Sequence, residues 1–99
     1  MVEVVFLLAA EMDVQAAYEW FDAQREGRGD QFLSHLKALE SLLIKNPGMG
    51  VSVDSKIRKL LMPRFDYGIF YTIEGERIMV AAVLDLRRDP DFIRSRLQL

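Results

Sequence analysis

The chain has 99 residues, 51% of them hydrophobic, with no cysteine and a net charge of −2 at pH 7. That length closes one core but not two, so residues 1–99 form a single domain, and the apolar share excludes a disordered chain. Absence of cysteine removes disulfides, thiolate metal sites and a cysteine nucleophile, and fits a reducing cytosol.

Residues 2–9 predict a first strand dominated by Val, Phe and Leu. The apolar run within it, residues 4–10, follows Glu3, lacks a positive leader and is too short to span a bilayer. The chain therefore reads as a cytoplasmic, soluble protein without a membrane partner. Asp13 is a suitable N-cap for a helix starting at Val14, because its carboxylate can accept the free N–H groups of the first turn. Val14, Ala17, Tyr18 and Phe21 then share one helical face. Trp20 lies beside this stripe and is expected to cover its edge as a core aromatic, with Phe21 and Phe32.

Gly27 and Gly29 end that helix, and Asp30 is the expected cap of the next. Phe32, Leu36, Leu39 and Leu43 repeat the apolar spacing until Asn46-Pro47-Gly48 stops the helix. Two helices joined by a glycine-rich corner make an αα-hairpin. Residues 49–54 form a loop. Residues 56–64 alternate without a clean apolar face and contain Pro63, which places this strand at or near a sheet edge.

Residues 65–90 read as a long β-hairpin. Ile69 to Ile73 are β-branched or aromatic, Glu74-Gly75-Glu76 supplies the turn, and residues 78–86 carry one charge, Asp85. A run that apolar is buried on both faces, as a central strand is. The turn and its β-rich partner favour a strand over an interior helix of equal length. Tyr67 and Tyr71 are expected to pack on the sheet with hydroxyls in water. Arg87 and Arg88 follow where the strand surfaces, either as a site or as a structural link to Asp85, Asp89 or Asp91. Residues 91–97 predict a short helix capped by Asp91, anchored by Phe92, with Arg94 and Arg96 in its last turns. The order β-α-α-β-β-β-(α) defines an α+β fold, a small antiparallel or mixed sheet packed against the N-terminal αα-hairpin.

Charge is unevenly distributed. Residues 1–54 hold nine acidic and four basic side chains; residues 55–99 hold six and nine. A basic C-terminal half suits an anionic partner, nucleic acid or an acidic protein, although solvated charges split by chance give the same count. So many Leu, Phe and Met residues in so small a domain also predict an apolar groove left for another chain to cover.

Cutting a bound nucleic acid, rather than holding it, needs one group to take a proton, another to protonate the leaving oxygen, and cations around the phosphate. The only histidine, His35, falls mid-helix and reads as structural or exposed. Lys56, Arg58, Lys59, Arg64, Arg87 and Arg88 could hold phosphate. Binding alone does not cut.

Several segments, in order, resemble the RelE/ParE superfamily of toxins from type II toxin–antitoxin modules. They are Ala9-Ala10-Glu11-Met12-Asp13, Tyr18-Glu19-Trp20-Phe21, residues 26–33 (EGRGDQFL), Asn46-Pro47, Ile57-Arg58-Lys59, residues 64–71 (RFDYGIFY) and residues 83–90 (VLDLRRDP). The resemblance covers nearly the whole chain. It implies a toxin neutralised by a cognate antitoxin, assembled as a toxin–antitoxin hetero-oligomer or a homodimer. Similar sequences often carry histidine where this chain has Asp85.

The superfamily has a ribosome-dependent mRNA endonuclease branch and a ParE-like branch that poisons DNA gyrase. The endonuclease branch places an arginine after the tyrosine of the third strand, where this chain has Gly68. Its spaced lysine pair maps to Lys59 and Leu61, and its C-terminal tyrosine falls near Phe92 or Ile93. Arg87 or Arg88 matches its arginine after the last strand. The resemblance therefore implies the gyrase-directed branch, with the ribosome and its mRNA, or an inactive relative that binds only its antitoxin, as alternatives. No catalytic residue, metal or cofactor is implied. Lys59, Arg64, Arg87, Arg88, Arg94 and Arg96 are the candidate target contacts.

Overall fold

The computed structural model describes residues 1–99. Its elements are β1 (Glu3–Phe6), α1 (Leu8–Gln24), α2 (Arg28–Lys45), β2 (Val51–Ser52), β3 (Arg58–Met62), β4 (Tyr67–Glu74), β5 (Arg77–Asp85) and α3 (Pro90–Leu97). The five strands form one mixed sheet in the order β1-β5-β4-β3-β2, with β1 parallel to β5 and the other neighbours antiparallel. The α+β order holds, with one addition. Residues 51–52 pair with β3, so that strand lies one place in from the edge.

The expected hairpin is β4–β5, closed by Gly75-Glu76 with Gly75 at φ 62°, a conformation that glycine adopts without steric cost. β5 lies inside the sheet, between β1 and β4, but β1 accompanies only its first part and its register is not uniform. Phe70 faces Ala82 while Tyr71 faces Val80, so Ala81 is the extra residue of a β-bulge. Ile78 and Val80 pack into the core under α1 and α2 before the bulge; Val83 does so after it. Ala82 and Leu84 fall instead on the opposite face, under α3, with Phe70 and Leu97. The bulge thereby changes which side chains of the last four strand residues face α1.

The main core lies between the sheet and the αα-hairpin. Phe21, Phe32, Phe65 and Tyr67 pack there with ring centroids 5.1–5.6 Å apart, tilted or edge-on except for the stacked Phe21–Phe32 pair. Such pairs add about 0.5–1.5 kcal/mol each beyond burial. Trp20 departs from expectation: it is 55% exposed and not a core residue.

Three caps also differ from those read in the sequence. α1 begins at Leu8, because Ala9, Ala10, Glu11 and Met12 favour helix once β1 ends, so Asp13 lies in the second turn. α2 begins at Arg28 after Gly27 at φ 88°, and Asp22 of α1, not Asp30, accepts hydrogen bonds from the amides of Gly27 (3.0 Å) and Gly29 (3.2 Å). α3 is capped by Asp89, whose carboxylate accepts from the Asp91 amide at 2.9 Å, with Pro90 in the first helical position.

Tyr71 is fully buried, and its hydroxyl does not reach water. It donates to the Pro47 carbonyl at 2.7 Å and accepts from the Gly50 amide at 2.9 Å. Arg58 donates to the Gly50 carbonyl at 2.8 Å, so two side chains hold the segment leading into β2. Tyr71→Phe leaves the Gly50 amide without its partner and is expected to cost about 1–3 kcal/mol. A thermal melt should fall by roughly 5–15 °C.

Glu40 lines an apolar groove with Phe6, Val14, Leu33 and Leu36. Burial raises its pKa above the ordinary 4.5, opposed by the charge of Lys37. The native state thus binds this proton more tightly than the unfolded chain, and the site loses stability as pH rises above about 4.5. Glu40→Gln is expected to raise the melting temperature at pH 7 by about 2–4 °C, the gain shrinking toward pH 4.

Candidate functional site

The parallel ladder between β1 and β5 ends at Phe6–Val80, with one further bond from the Leu7 amide to the Val80 carbonyl at 3.0 Å. Beyond it the edge of β5 has no strand beside it. Asp13, projecting from α1, occupies that place. One carboxylate oxygen accepts from the Val83 amide at 3.0 Å, and both accept from the Arg96 guanidinium at 2.8 Å. A single side chain so joins α1, β5 and α3. The pair is largely shielded, and the bond to Asp13 holds the Arg96 pKa above its ordinary value.

Past this clamp, the chain leaves β5 along a tight path. The Leu86 amide donates to the Asp66 carbonyl at 2.8 Å, which brings the exit of β5 against the β3–β4 turn. Arg64 and Asp66 in that turn have φ of 80° and 54°, left-handed conformations that a non-glycine residue adopts at a cost of about 1–3 kcal/mol. Phe65 between them is buried, and Arg28 lies with its guanidinium carbon 4.3 Å from the centre of that ring. Filling the core with Phe65 offsets the strain and leaves Arg64 at the surface.

The six sequence-derived candidates have five different environments. Arg87 is clasped by Asp85: its backbone amide (2.9 Å) and Nε (3.0 Å) donate to Oδ1, and Nη2 donates to Oδ2 at 3.1 Å. Those bonds hold Asp85 below the usual carboxylate range, so it stays ionised at neutral pH. Arg96 is bound to Asp13. Arg88 is different, because its guanidinium carbon lies 3.8 Å from the Phe92 ring centre and it makes no ion pair. Arg64 and Arg94 are exposed, and Lys59 is half-buried on β3. The exit of β5 and the adjoining turn gather Arg64, Arg87 and Arg88; Lys59 and Arg94 stand on separate elements.

Between α1, α3 and the end of β5 lies a cavity of about 340 Å³, lined by Trp20, Tyr67, Asp85, Arg88 and Phe92 among others. Trp20, Tyr67 and Phe92 were absent from the sequence-derived site. Trp20 sits four residues beyond Ala16, on the row of α1 that also carries exposed Leu8 and Met12, and that i, i+4 spacing was its only signal. Burial and the charge of Asp85 push the Tyr67 hydroxyl above its ordinary pKa, so it remains protonated.

Two features bear on proton-transfer chemistry. His35 packs edge-on to Phe65, and its Nδ1 lies 3.0 Å from the Gln31 carbonyl, consistent with a structural role. Gly68 is closely surrounded by side chains: a Cβ there would lie 2.9 Å from Leu86 Cδ2 and 3.2 Å from the Phe70 ring. An arginine at this place would require Leu86 to move.

A helical hairpin over a mixed sheet, with cations gathered at the exit of β5, defines a small α+β fold with a cationic surface site. The family described as "ParE toxin of type II toxin-antitoxin system, parDE" matches residues 4–90, and the chain belongs to it. The fold is similar to that of a solved chain from the chromosomal ParDE TA system of P. aeruginosa, with a TM-score of 0.75 at 17% identity, covering 87% of this chain and 97% of that one. No curated protein sequence matches significantly. No helix is long and apolar enough to cross a membrane.

Asp13→Ala removes the acceptor for Val83 and the partner of Arg96 together. The expected cost is about 2–3 kcal/mol, seen as a drop of roughly 10–20 °C in melting temperature.

Proposed function

We propose that this chain arrests growth by binding DNA gyrase and trapping it on cleaved DNA, and that a cognate antitoxin neutralises it. Membership of the ParE toxin family over residues 4–90 carries the reading. The geometry supports binding as the mode of action. Arg88 is held in place by Phe92 without an ion pair, whereas the neighbouring Tyr67 hydroxyl holds its proton and the space beside Gly68 is filled by Leu86. A guanidinium presented in this way suits recognition of an anionic group on another macromolecule.

For the antitoxin, α1 offers a row of exposed apolar side chains, Leu8 and Met12, running toward Trp20. Unpartnered apolar rows of this kind suit a partner helix laid along them. The P. aeruginosa structure is of a ParDE system, which supports an antitoxin as the covering chain.

Purified protein is expected to inhibit supercoiling by gyrase and to accumulate cleaved DNA, and Arg88→Ala to weaken this about tenfold or more. Neither effect occurring would reject the target. Codon-linked cuts in mRNA on translating ribosomes would replace this reading with the endonuclease one.

A further inference from the structure

The cavity between α1, α3 and the end of β5 holds five charged side chains if Arg87 at its rim is included. Four of them are already matched. Asp13 is bonded to Arg96 by two 2.8 Å hydrogen bonds, and Asp85 to Arg87 at 3.0 and 3.1 Å. Arg88 alone makes no ion pair, although Asp85 lies near enough to feel its charge. Its position is nevertheless defined, because the guanidinium carbon lies over the Phe92 ring, 3.8 Å from its centre. The rest of the lining is mostly apolar: Ala16, Ala17, Val83 and Leu84, with the exposed indole of Trp20. This places one fixed, unpaired cation beside an apolar hollow.

From this arrangement we infer that the cavity is a peptide-anchoring pocket, which takes a bulky apolar side chain against Trp20 and the adjacent carboxylate of the same peptide on Arg88. A volume of about 340 Å³ admits one such side chain with part of its backbone. A planar guanidinium with free N–H groups receives a carboxylate through two parallel hydrogen bonds. Charge complementarity selects a protein segment over a nucleic acid. A polynucleotide gains affinity by having several phosphates neutralised together, and inside this cavity a single cation is outside an ion pair, beside two carboxylates. A single carboxylate next to an apolar side chain meets both halves of the pocket. The inference deepens the protein-binding reading above, by giving the chemistry of the target segment, and rests on it only for the identity of that segment's owner.

Trp20 is the only tryptophan, so its indole N–H resonance and its fluorescence report on this pocket alone. The probe is the acetylated, amidated tetrapeptide Gly-Phe-Glu-Gly, titrated into the full chain. Saturable movement of the indole signal is expected, weakened about tenfold when the peptide carries Gln for Glu and about tenfold by Arg88→Gln. Lys45→Gln, which removes a cation from the last turn of α2, should leave binding within about twofold. The Gln peptide keeps the test sound should Arg88→Gln misfold, since the protein is then untouched. No saturable movement, equal affinity for the Glu and Gln peptides, or tighter binding of adenosine monophosphate would each overturn the inference, the last pointing to a phosphate ligand. The two readings fail separately. Peptide binding without any effect on gyrase leaves the pocket standing and removes the target; gyrase poisoning undiminished by Arg88→Gln, with no peptide bound, does the reverse.

Discussion

Asp13 occupies the place where β1 gives out. The first strand is too short to pair with the last part of β5, and a buried backbone amide left there without an acceptor would cost about 1–3 kcal/mol. A carboxylate reaching down from α1 accepts that amide at Val83. Its remaining acceptor capacity holds Arg96, and with it the C-terminal helix. Hydrogen bonds of this charge-assisted kind are about twice as strong as neutral ones. The helical layer, the sheet and the last helix are therefore held at one point, and the walls of the cavity beside that point are those same three elements.

This arrangement separates charges that hold the fold from a charge that is free to meet something else. Arg58, Arg87 and Arg96 are all directed at partners within the chain: carbonyls before β2, Asp85 and Asp13. Arg88 has an aromatic ring under it and makes no ion pair. A ring fixes the direction of a guanidinium without neutralising it, which an aspartate could not do. Arg64 is presented by other means, through a left-handed backbone set by the burial of Phe65 beside it. Position is supplied by apolar contacts in both cases, so the full charge remains for a partner.

The parts of the fold legible in the sequence were those written in periodicity. Apolar spacing gave both helices of the hairpin, and the continuous run after Gly75 gave the central strand, because a two-sided burial requirement leaves a mark on every residue. Boundaries set by tertiary contacts were not legible. Asp13 has the chemistry of a cap and became an interior helical residue, since what decided its role was a strand amide 70 positions away in sequence. Asp22 reads as an exposed helical acid and instead caps the next helix, across the corner at Gly27. Trp20 was assigned to the core by its size. Its neighbour Phe21 fills that role, and the turn of α1 directs the indole toward the cavity instead.

The bulge at Ala81 shows most clearly why the site was only half legible. Strict alternation along β5 would place Ile78, Val80, Ala82 and Leu84 on one face, with Val83 and Asp85 on the other. One extra residue reverses that parity, so that Val83 joins Ile78 and Val80 under α1 while Ala82 and Leu84 turn to α3. Asp85 shares the side of Val83, where it lines the cavity with Asp13 and Trp20 and clasps Arg87. Nothing in a run as uniformly apolar as residues 78–84 marks where an extra residue falls, because every position is acceptable on either face. The cations were visible as a motif at the strand's end. The side of the sheet on which Asp85 emerges, and so its place in the cavity, follows from that one-residue shift.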